Sequence, residues 1–502
     1  MTGKVTFVGA GSGDPRLLTV RGAEVVATAD LLLFDPEVHP EVLRYAPEGV
    51  VRAAVLQAQS AEDVAAALAD AAKQGKHAVR VMWGDPLFFE RGEDEASAVA
   101  RRGVALEIVP GVGALVAASA FAGIPLTRSG DVSQSVAAVR VTKGHESLHD
   151  WAKLATATET LAILCDADSV ADTARSLVFY GRSPSEVLTV IEHVSLPSQR
   201  VTQSTLDEVP VLPKSSASRV VLVVGARARP LPYLQWFERR PLFGRRILVT
   251  RSKEQAGGLA ALLRERGADV VLMPTIEIHA PSDPSPMIDV VSQIGTHYRW
   301  VVFTSVNGVE RLWDEVRRQG RDARIFGAAK IAAVGPGTAA ALLRCGLFAD
   351  LVAKERRGEG LAADLLAAIG DEKPRVLIAR AEVARDVVPD ALRAAGCEVD
   401  VVAVYKTRSP PRALLEGLSA LLDAGEIDAV TFTSSSTVDH LCEALEARAV
   451  SLLAKAVVAS IGPVTTETAT KFGVRVDLTA HEQTMAALAE DLEGHFARFT
   501  KV

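Results

Sequence analysis

Cysteine is scarce and scattered: the four thiols, Cys165, Cys345, Cys397 and Cys442, lie far apart and form neither a CxxC pair nor a Cys/His ligand cluster. A disulfide framework and a structural zinc site are thereby excluded. The ten histidines show no HExxH spacing, so no metal is expected. Long apolar runs are also missing. No stretch of 18 apolar residues occurs, and a membrane partner is not expected. Charge of one sign is not concentrated either: Lys plus Arg number 55 against 62 Asp plus Glu, for a net charge of −7 without a basic stripe. Nucleic acid is therefore not an expected partner. The chain begins MTGKVTFVGAGSG, a strand and a glycine turn with no leader-like segment, and the expected location is the cytoplasm.

Apolar material, by contrast, is plentiful. Hydrophobic residues make up 48% of 502 residues and charged residues 23%, enough for several packed cores and too long a chain for one. Short Val/Ile/Leu runs alternate with amphipathic stretches, as in RVVLVVGARA (219–228) and EQAGGLAALLRERG (254–267). That alternation predicts an α/β fold. The clearest break is GARARPLPYLQWFERRPLFG (225–244), with three prolines, which places the main boundary near residue 240. Its Tyr233, Trp236, Phe237 and Phe243 predict a linker packed against a domain surface.

Beyond that break the sequence repeats itself. The segments starting at Ile247 and Val376 pair Arg251 with Arg380 and Gly267 with Gly396, an offset of 129. Phe303-Thr304-Ser305 and Phe432-Thr433-Ser434 keep the same offset, while Gly335 pairs with Gly462 and Asp350 with Asp477 at 127. So long a period predicts two similar lobes and a cleft between them. In each lobe strands end in hydroxyls or glycine and a helix follows: Thr304-Ser305, Gly335-Pro336-Gly337-Thr338, Thr433-Ser434-Ser435-Ser436 and Gly462-Pro463-Val464-Thr465. Such turns aim free N–H groups and the positive helix end at a ligand, and they favour anions. Their hydroxyls also suit simple N-caps, each worth about 1 kcal/mol. Walker A, GxSxG and metal-ligand spacings are absent from this half, which points to a reaction run by positioning an acidic substrate.

The order FTSVNGV, VGPGTA, GEGL (358–361), LIAR (377–380), VYKT (404–407), FTSSSTV and IGPVTTETA resembles the uroporphyrinogen-III synthases over nearly all of 243–495. The resemblance implies two flavodoxin-like α/β lobes joined by a two-stranded connector: lobe 1 from 243–276 plus 406–502, lobe 2 from 277–405. It implies cyclisation of hydroxymethylbilane to uroporphyrinogen III, with inversion of the last ring and loss of water, without a cofactor. It assigns Tyr405 to assist the leaving hydroxyl, because a phenol donates a hydrogen bond at pH 7. Substrate contacts fall to Thr250, Arg251, Thr304, Ser305, Gly335, Thr338, Arg380, Ser434, Ser435, Gly462 and Thr465. Backbone amides can hold a polycarboxylate without a basic surface, in keeping with the net charge of −7.

The first half opens KVTFVGAGSGDPRLLTVRG, with Asp14 where a dinucleotide fingerprint needs its third glycine; a Rossmann NAD site is disfavoured. With Asp35 in LLFDPEV, Gly84-Asp85-Pro86, VPGVGALVAASAFAGIPLT (109–127) and QRVTQSTLDEV (199–209), residues 3–226 resemble the tetrapyrrole methylases, specifically uroporphyrinogen-III C-methyltransferases. That implies a methylase domain 1–228 of two subdomains, about 1–112 and 113–228, followed by a linker 229–242 and the synthase domain 243–502. It implies S-adenosylmethionine held by Gly11, Gly13, Asp14, Gly84, Asp85, Pro86, Ala114 and Cys165, with Asp35 orienting the macrocycle or accepting a proton, and a homodimer formed through this domain. The chain departs from the family at Met82-Trp83, Gly113-Ala114, Leu164-Cys165-Asp166 and His193-Val194-Ser195. Two readings of this half follow: an active methyltransferase making precorrin-2, or a vestigial domain kept for binding or dimerisation. A non-enzymatic reading of the whole chain, a two-lobed anion sensor, would require an output domain.

Overall fold

The Val/Ile/Leu runs that read as buried strands form four sheets in the computed structural model, which describes residues 3–47, 49–56, 58–127, 135–145, 148–213, 218–250, 253–273, 277–355, 357–408 and 410–498. The chain divides into two compact units: Met1–Arg246 with Leu262–Asp269 and Glu493–Val502, and Ile247–Ala261 with Val270–Leu492. The α/β class read from the sequence is borne out. Among the described residues no helix is long and apolar enough to cross a membrane.

Unit 1 holds two sheets. In the first, β1 (Lys4–Gly9), β2 (Leu31–Phe34), β3 (Val51–Ala54), β4 (His77–Met82) and β5 (Leu106–Val109) lie in the order β3-β2-β4-β1-β5. All their pairings are parallel. Alternation along β1 sends Val5 and Phe7 into one core and Val8 into the core on the opposite face, as a sheet covered on both sides requires. In the second sheet β6 (Val136–Val141), β7 (Thr160–Asp166), β8 (Val187–Glu192), β9 (Arg200–Thr205) and β10 (Arg219–Val224) take the order β6-β7-β10-β8-β9. Only β6 and β7 run parallel; the remaining pairs are antiparallel. The linker packs down as its aromatics suggested. Phe237 is fully buried with its ring centroid 4.7 Å from that of Phe121, and the Trp236 indole N–H donates to the Ala120 carbonyl at 3.1 Å. Tyr233 is the exception and stands in solvent.

Unit 2 contains β11 (Arg246–Val249), most of β12 (Asp269–Leu272), β13 (Glu277–His279), β14 (Trp300–Phe303), β15 (Lys330–Ala333), β16 (Leu351–Val352), β17 (Arg375–Ala381), β18 (Glu398–Arg408), β19 (Ala429–Phe432), β20 (Val457–Ser460) and β21 (Leu478–Thr479). One sheet runs β12-β11-β19-β20-β21, the other β13-β18-β17-β14-β15-β16. Without β13 the two orders are the same. The sequence offsets are kept element by element: β14 and β19 begin 129 apart, β15 and β20 127 apart. Register is kept too, since Trp300 pairs with Val376 where Ala429 pairs with Ile247. Each lobe is thus one strand-helix repeat, circularly permuted so that β11 and β12 open one lobe and their equivalents β17 and β18 close the other. The connector is the antiparallel pair Glu277–His279 with Lys406–Arg408. The expected two-lobed architecture with a two-stranded connector is therefore present.

Three glycine turns meet at the C-terminal ends of β1, β4 and β5. A Cβ built on Gly111 would stand 2.1 Å from the Gly84 carbonyl oxygen and 2.8 Å from Gly9 Cα, whereas one on Gly113 would meet nothing closer than 3.6 Å. Gly111→Ala is expected to destabilise unit 1 by about 1–3 kcal/mol through backbone overpacking, and Gly113→Ala by less than about 1 kcal/mol. Urea unfolding of the two variants checks this; equal losses would contradict it.

Candidate functional site

In unit 2 the candidate residues collect at the C-terminal ends of parallel strands, because each strand there hands directly over to a helix. Ser305 caps the helix Val306–Arg318, its Oγ accepting from the Gly308 amide at 3.0 Å. Ser434 caps Ser435–Leu445 in a capping box with Thr437. At the neighbouring turns the pattern changes. Gly335 and Gly462 precede Pro336–Arg344 and Pro463–Lys471 with extended backbone and no side-chain cap, and proline at the first helical position gives up an amide that would be orphaned anyway. The amides that follow are the kind that bind anions. Thr338 and Thr465 lie within these first turns, each only 4% exposed. Neighbouring turns touch in both lobes: a Cβ on Gly337 would lie 3.9 Å from Val306, and the Ser435 hydroxyl donates to the Val464 carbonyl at 3.4 Å.

A β-bulge places Tyr405. The pairing of β17 with β18 shifts register between Arg380 and Ala381, so that Arg380 faces Ala403 and Ala381 faces Tyr405. The extra residue reverses the alternation, and Val402, Val404 and Tyr405 all enter one core. Tyr405 is 7% exposed and its hydroxyl stands 3.1 Å from Ser305 Oγ. Beside it on β17, Arg380 donates to Asp386 at 2.6 Å and to the Arg385 carbonyl at 2.9 Å, while its buried Nε has no partner. Thr433 Oγ1 is likewise buried and unpartnered; its counterpart Thr304 is half-buried. Thr250 spends its hydroxyl on the Thr431 carbonyl at 2.7 Å, inside the sheet. Arg251 lies outside the described residues.

In unit 1, Gly11 and Gly84 exchange backbone hydrogen bonds of 3.2 and 2.9 Å. The Asp85 carboxylate accepts from the Leu87 and Gly111 amides, both at 2.9 Å. Asp14 is taken by Arg16, and its own amide donates to Ser195 Oγ at 3.0 Å. Gly13 comes so close to Val194 that a Cβ would lie 2.6 Å from its carbonyl oxygen, and Pro86 is buried. Ser12 Oγ, in the same loop, is buried without a partner, and the space beside Gly84 is open. Non-glycine residues with left-handed backbone gather around these loops, namely Phe89, His193 and Ser195, a form of strain found at ligand sites. Ala114 joins the core that Trp83 and Phe89 pack against. Cys165 does not: fully buried, it points into the core on the other face of the second sheet.

Asp35 accepts from Arg80 Nη2 at 2.5 Å and from the Trp83 amide at 2.9 Å. Arg80 is wholly buried and its Nε donates to the equally buried Glu95 at 2.7 Å; burial opposes its charge, but the two carboxylates outweigh that and hold its pKa above the ordinary value. The second sheet repeats the device. Arg140 binds Asp166 at 2.5 Å, and both arginines donate to the carbonyl of the next residue. Both sit in the string VRV, a charged residue within an apolar strand, and that is the signal from which they were recoverable. Arg140, together with Arg219 and Glu90, which nothing in the sequence marked, belongs to a cavity of about 1020 Å³ lined from both sheets by Asp35, Glu90, Arg140, Asp166 and Arg219 among others; Arg80 stands behind Asp35, wholly buried. Among the described residues no cluster suited to a metal ion occurs.

The family described as uroporphyrinogen-III synthase HemD matches residues 258–490, and the tetrapyrrole (corrin/porphyrin) methylases match residues 4–210. The porphyrin biosynthesis protein HemD of Ruminiclostridium josui is 30% identical over 98% of this chain and 97% of its own. Siroheme synthase 1 of Yersinia enterocolitica is 37% identical over 48% of this chain, which spans 52% of that protein. A solved uroporphyrin-III C-methyl transferase from Thermus thermophilus, complexed with S-adenyl homocysteine, is 32% identical over 45% of this chain and 100% of its own, with a TM-score of 0.39.

Truncating one partner of a buried ion pair strands the other charge, at a cost of about 3–5 kcal/mol. Arg80→Met should lower the stability of unit 1 by that amount, read from urea unfolding; a loss below about 1 kcal/mol would mean that Asp35 and Glu95 do not depend on it.

Proposed function

The chain belongs to the porphyrin-biosynthesis HemD family, and from that premise we propose that unit 2 converts hydroxymethylbilane to uroporphyrinogen III and that unit 1 methylates the product to precorrin-2. The observation that carries the first part is the bulge-set pair of Tyr405 and Ser305, 3.1 Å apart at a strand tip beside helix starts without side-chain caps. Substrate carboxylates are held by the first-turn amides after Gly335 and Gly462 together with Thr338 and Thr465, and the unpartnered Arg380 Nε and Thr433 hydroxyl supply further donors. Thr304, Ser434 and Ser435 line the same strand ends. Tyr405 donates a proton to the departing hydroxyl and the C–O bond breaks with loss of water; the linked α-carbon of the last ring attacks the resulting azafulvene, its bond to the old methylene bridge breaks, the ring's other α-carbon closes onto that methylene, and the proton lost from it restores the phenol. A capping serine at hydrogen-bond distance fixes the direction of that phenol.

In unit 1, S-adenosylmethionine fits the loops around Gly11, Gly13, Asp14, Gly84, Asp85, Pro86 and Ala114, where a buried Ser12 hydroxyl lacks a partner and space is open beside Gly84. Bound there, it supplies electrophilic methyl groups to macrocycle carbons. Asp35 lines the cavity with one oxygen on Arg80 and the other on the Trp83 amide, and the lone pairs left on each oxygen orient the macrocycle or accept a pyrrole proton. A second reading, a domain that binds tetrapyrrole without methylating it, is favoured by Trp83, which lies under the Arg219 guanidinium at 4.1 Å beside the cofactor loops. Both readings place the protein in the cytoplasm, where these intermediates are made.

Tyr405→Phe should lower turnover of hydroxymethylbilane about 10²-fold, as for a lost general acid, with KM little changed; an unchanged kcat removes Tyr405 from the chemistry. Incubating the full chain with methyl-labelled S-adenosylmethionine and uroporphyrinogen III should label the macrocycle twice. Cofactor binding without label transfer would select the second reading.

A further inference from the structure

The cavity of unit 1 carries cations, but each faces an anion of the protein itself. Arg140 is fixed by Asp166 and by the carbonyls of Val141 and Leu164 at 2.6 and 3.2 Å, which makes it part of the sheet framework. Lys143 reaches Asp168 at 2.6 Å, with both side chains largely in solvent. Arg91 is held by the buried Glu95 at 2.5 Å. Arg219 is different. It starts β10, is only 16% exposed, and holds its guanidinium carbon over the Trp83 indole, 4.1 Å from the ring centroid, so the group is positioned before any ligand arrives. Its two outer nitrogens meet Glu90 at 2.7 Å and Glu37 at 3.4 Å, and Glu90 belongs to the loop that follows β4, in the other subdomain.

We propose that Arg219 is the anchor for a ligand carboxylate in this cavity, and that Glu90 is the internal anion occupying that anchor until the ligand displaces it. The proposal rests on the reading that the cavity takes a tetrapyrrole polycarboxylate. It adds which residue recognises the ligand and what the protein gives up to bind it. A guanidinium stacked on an aromatic face keeps its in-plane donors free for a planar carboxylate, and Glu90 shows that a carboxylate fits there.

Displacement is linked to a proton. Burial pushes the Glu90 carboxyl up to about 7, against the opposing pull of Arg219. Of the other charges that act on it, Asp35 raises it and Arg140 lowers it; no histidine is among the described residues lining the cavity. When a ligand carboxylate takes Arg219, Glu90 loses its counter-charge and gains a like-charged neighbour, so it binds a proton. Affinity is then fully present below about pH 7 and falls up to tenfold for each further pH unit.

The test titrates the full chain with uroporphyrin III, a stable polycarboxylate macrocycle, between pH 6 and 8. Occupancy is followed by quenching of the tryptophan emission that Trp83→Phe removes. The expected result is binding that weakens about fivefold from pH 7 to pH 8, a Glu90→Gln variant that binds at pH 8 as tightly as at pH 6, and an Arg219→Gln variant that binds weakly at every pH. Wild-type binding that is indifferent to pH, or a Glu90→Gln variant with the wild-type profile, overturns the proposal and leaves the cavity's ligand class standing. Absence of this quenching in both wild type and Glu90→Gln throughout the range overturns the proposal together with the reading beneath it.

Discussion

A parallel strand that runs straight into a helix leaves the first-turn amides without intrahelical partners, and the second half of this protein is organised around what happens to them. In each lobe one such turn is closed by its own serine, Ser305 or Ser434, and its neighbour, at Gly335 or Gly462, has no side-chain cap. The closed turns spend an amide on the serine, and the open ones keep theirs as donors. Since both kinds recur at matched positions, the repeat supplies two similar edges of uncapped first-turn amides, and the bulge at Arg380 and Ala381 adds a phenol to one of them. The repeats are alike in topology but not in every residue: at the offset of 129 the sequence has Ile276 where the other repeat has Tyr405.

The first half meets a different constraint. Its sheets carry arginines in their interiors, and a buried guanidinium is tolerable only with carboxylates against it. Arg80 therefore draws in Asp35 and Glu95, and Arg140 draws in Asp166. These pairs brace the walls of the cavity and hold Asp35 in place, since each of its oxygens receives a hydrogen bond. Polar order has been built first, and ligand binding must work with what remains.

Most of the architecture was legible in the sequence because it rests on local period and on repetition. The offsets of 129 and 127 residues between repeats became strands and helices with the same offsets. What escaped notice is tertiary. Nothing in VVAVYKT announces the extra residue that turns Tyr405 toward Ser305, since a bulge alters parity and not composition. Arg80 stands 45 residues from Asp35 and 15 from Glu95, so its partners could not be read from spacing. The direction of the Cys165 side chain follows a simpler rule: strand alternation sends it and Leu164 to opposite faces, and only Leu164 shares a core with Ala114. Thr250, a substrate contact implied by the synthase resemblance, gives its hydroxyl to a neighbouring carbonyl inside the sheet.

The account stands on the claim that paired strand-tip turns hold a linear polycarboxylate so that its last ring closes inverted. Freshly prepared hydroxymethylbilane, incubated with the full chain, oxidised and separated into its ring isomers, tests that claim most directly. The account predicts the type III macrocycle as the main product; a mixture no different from the type I ring that forms without enzyme would contradict it.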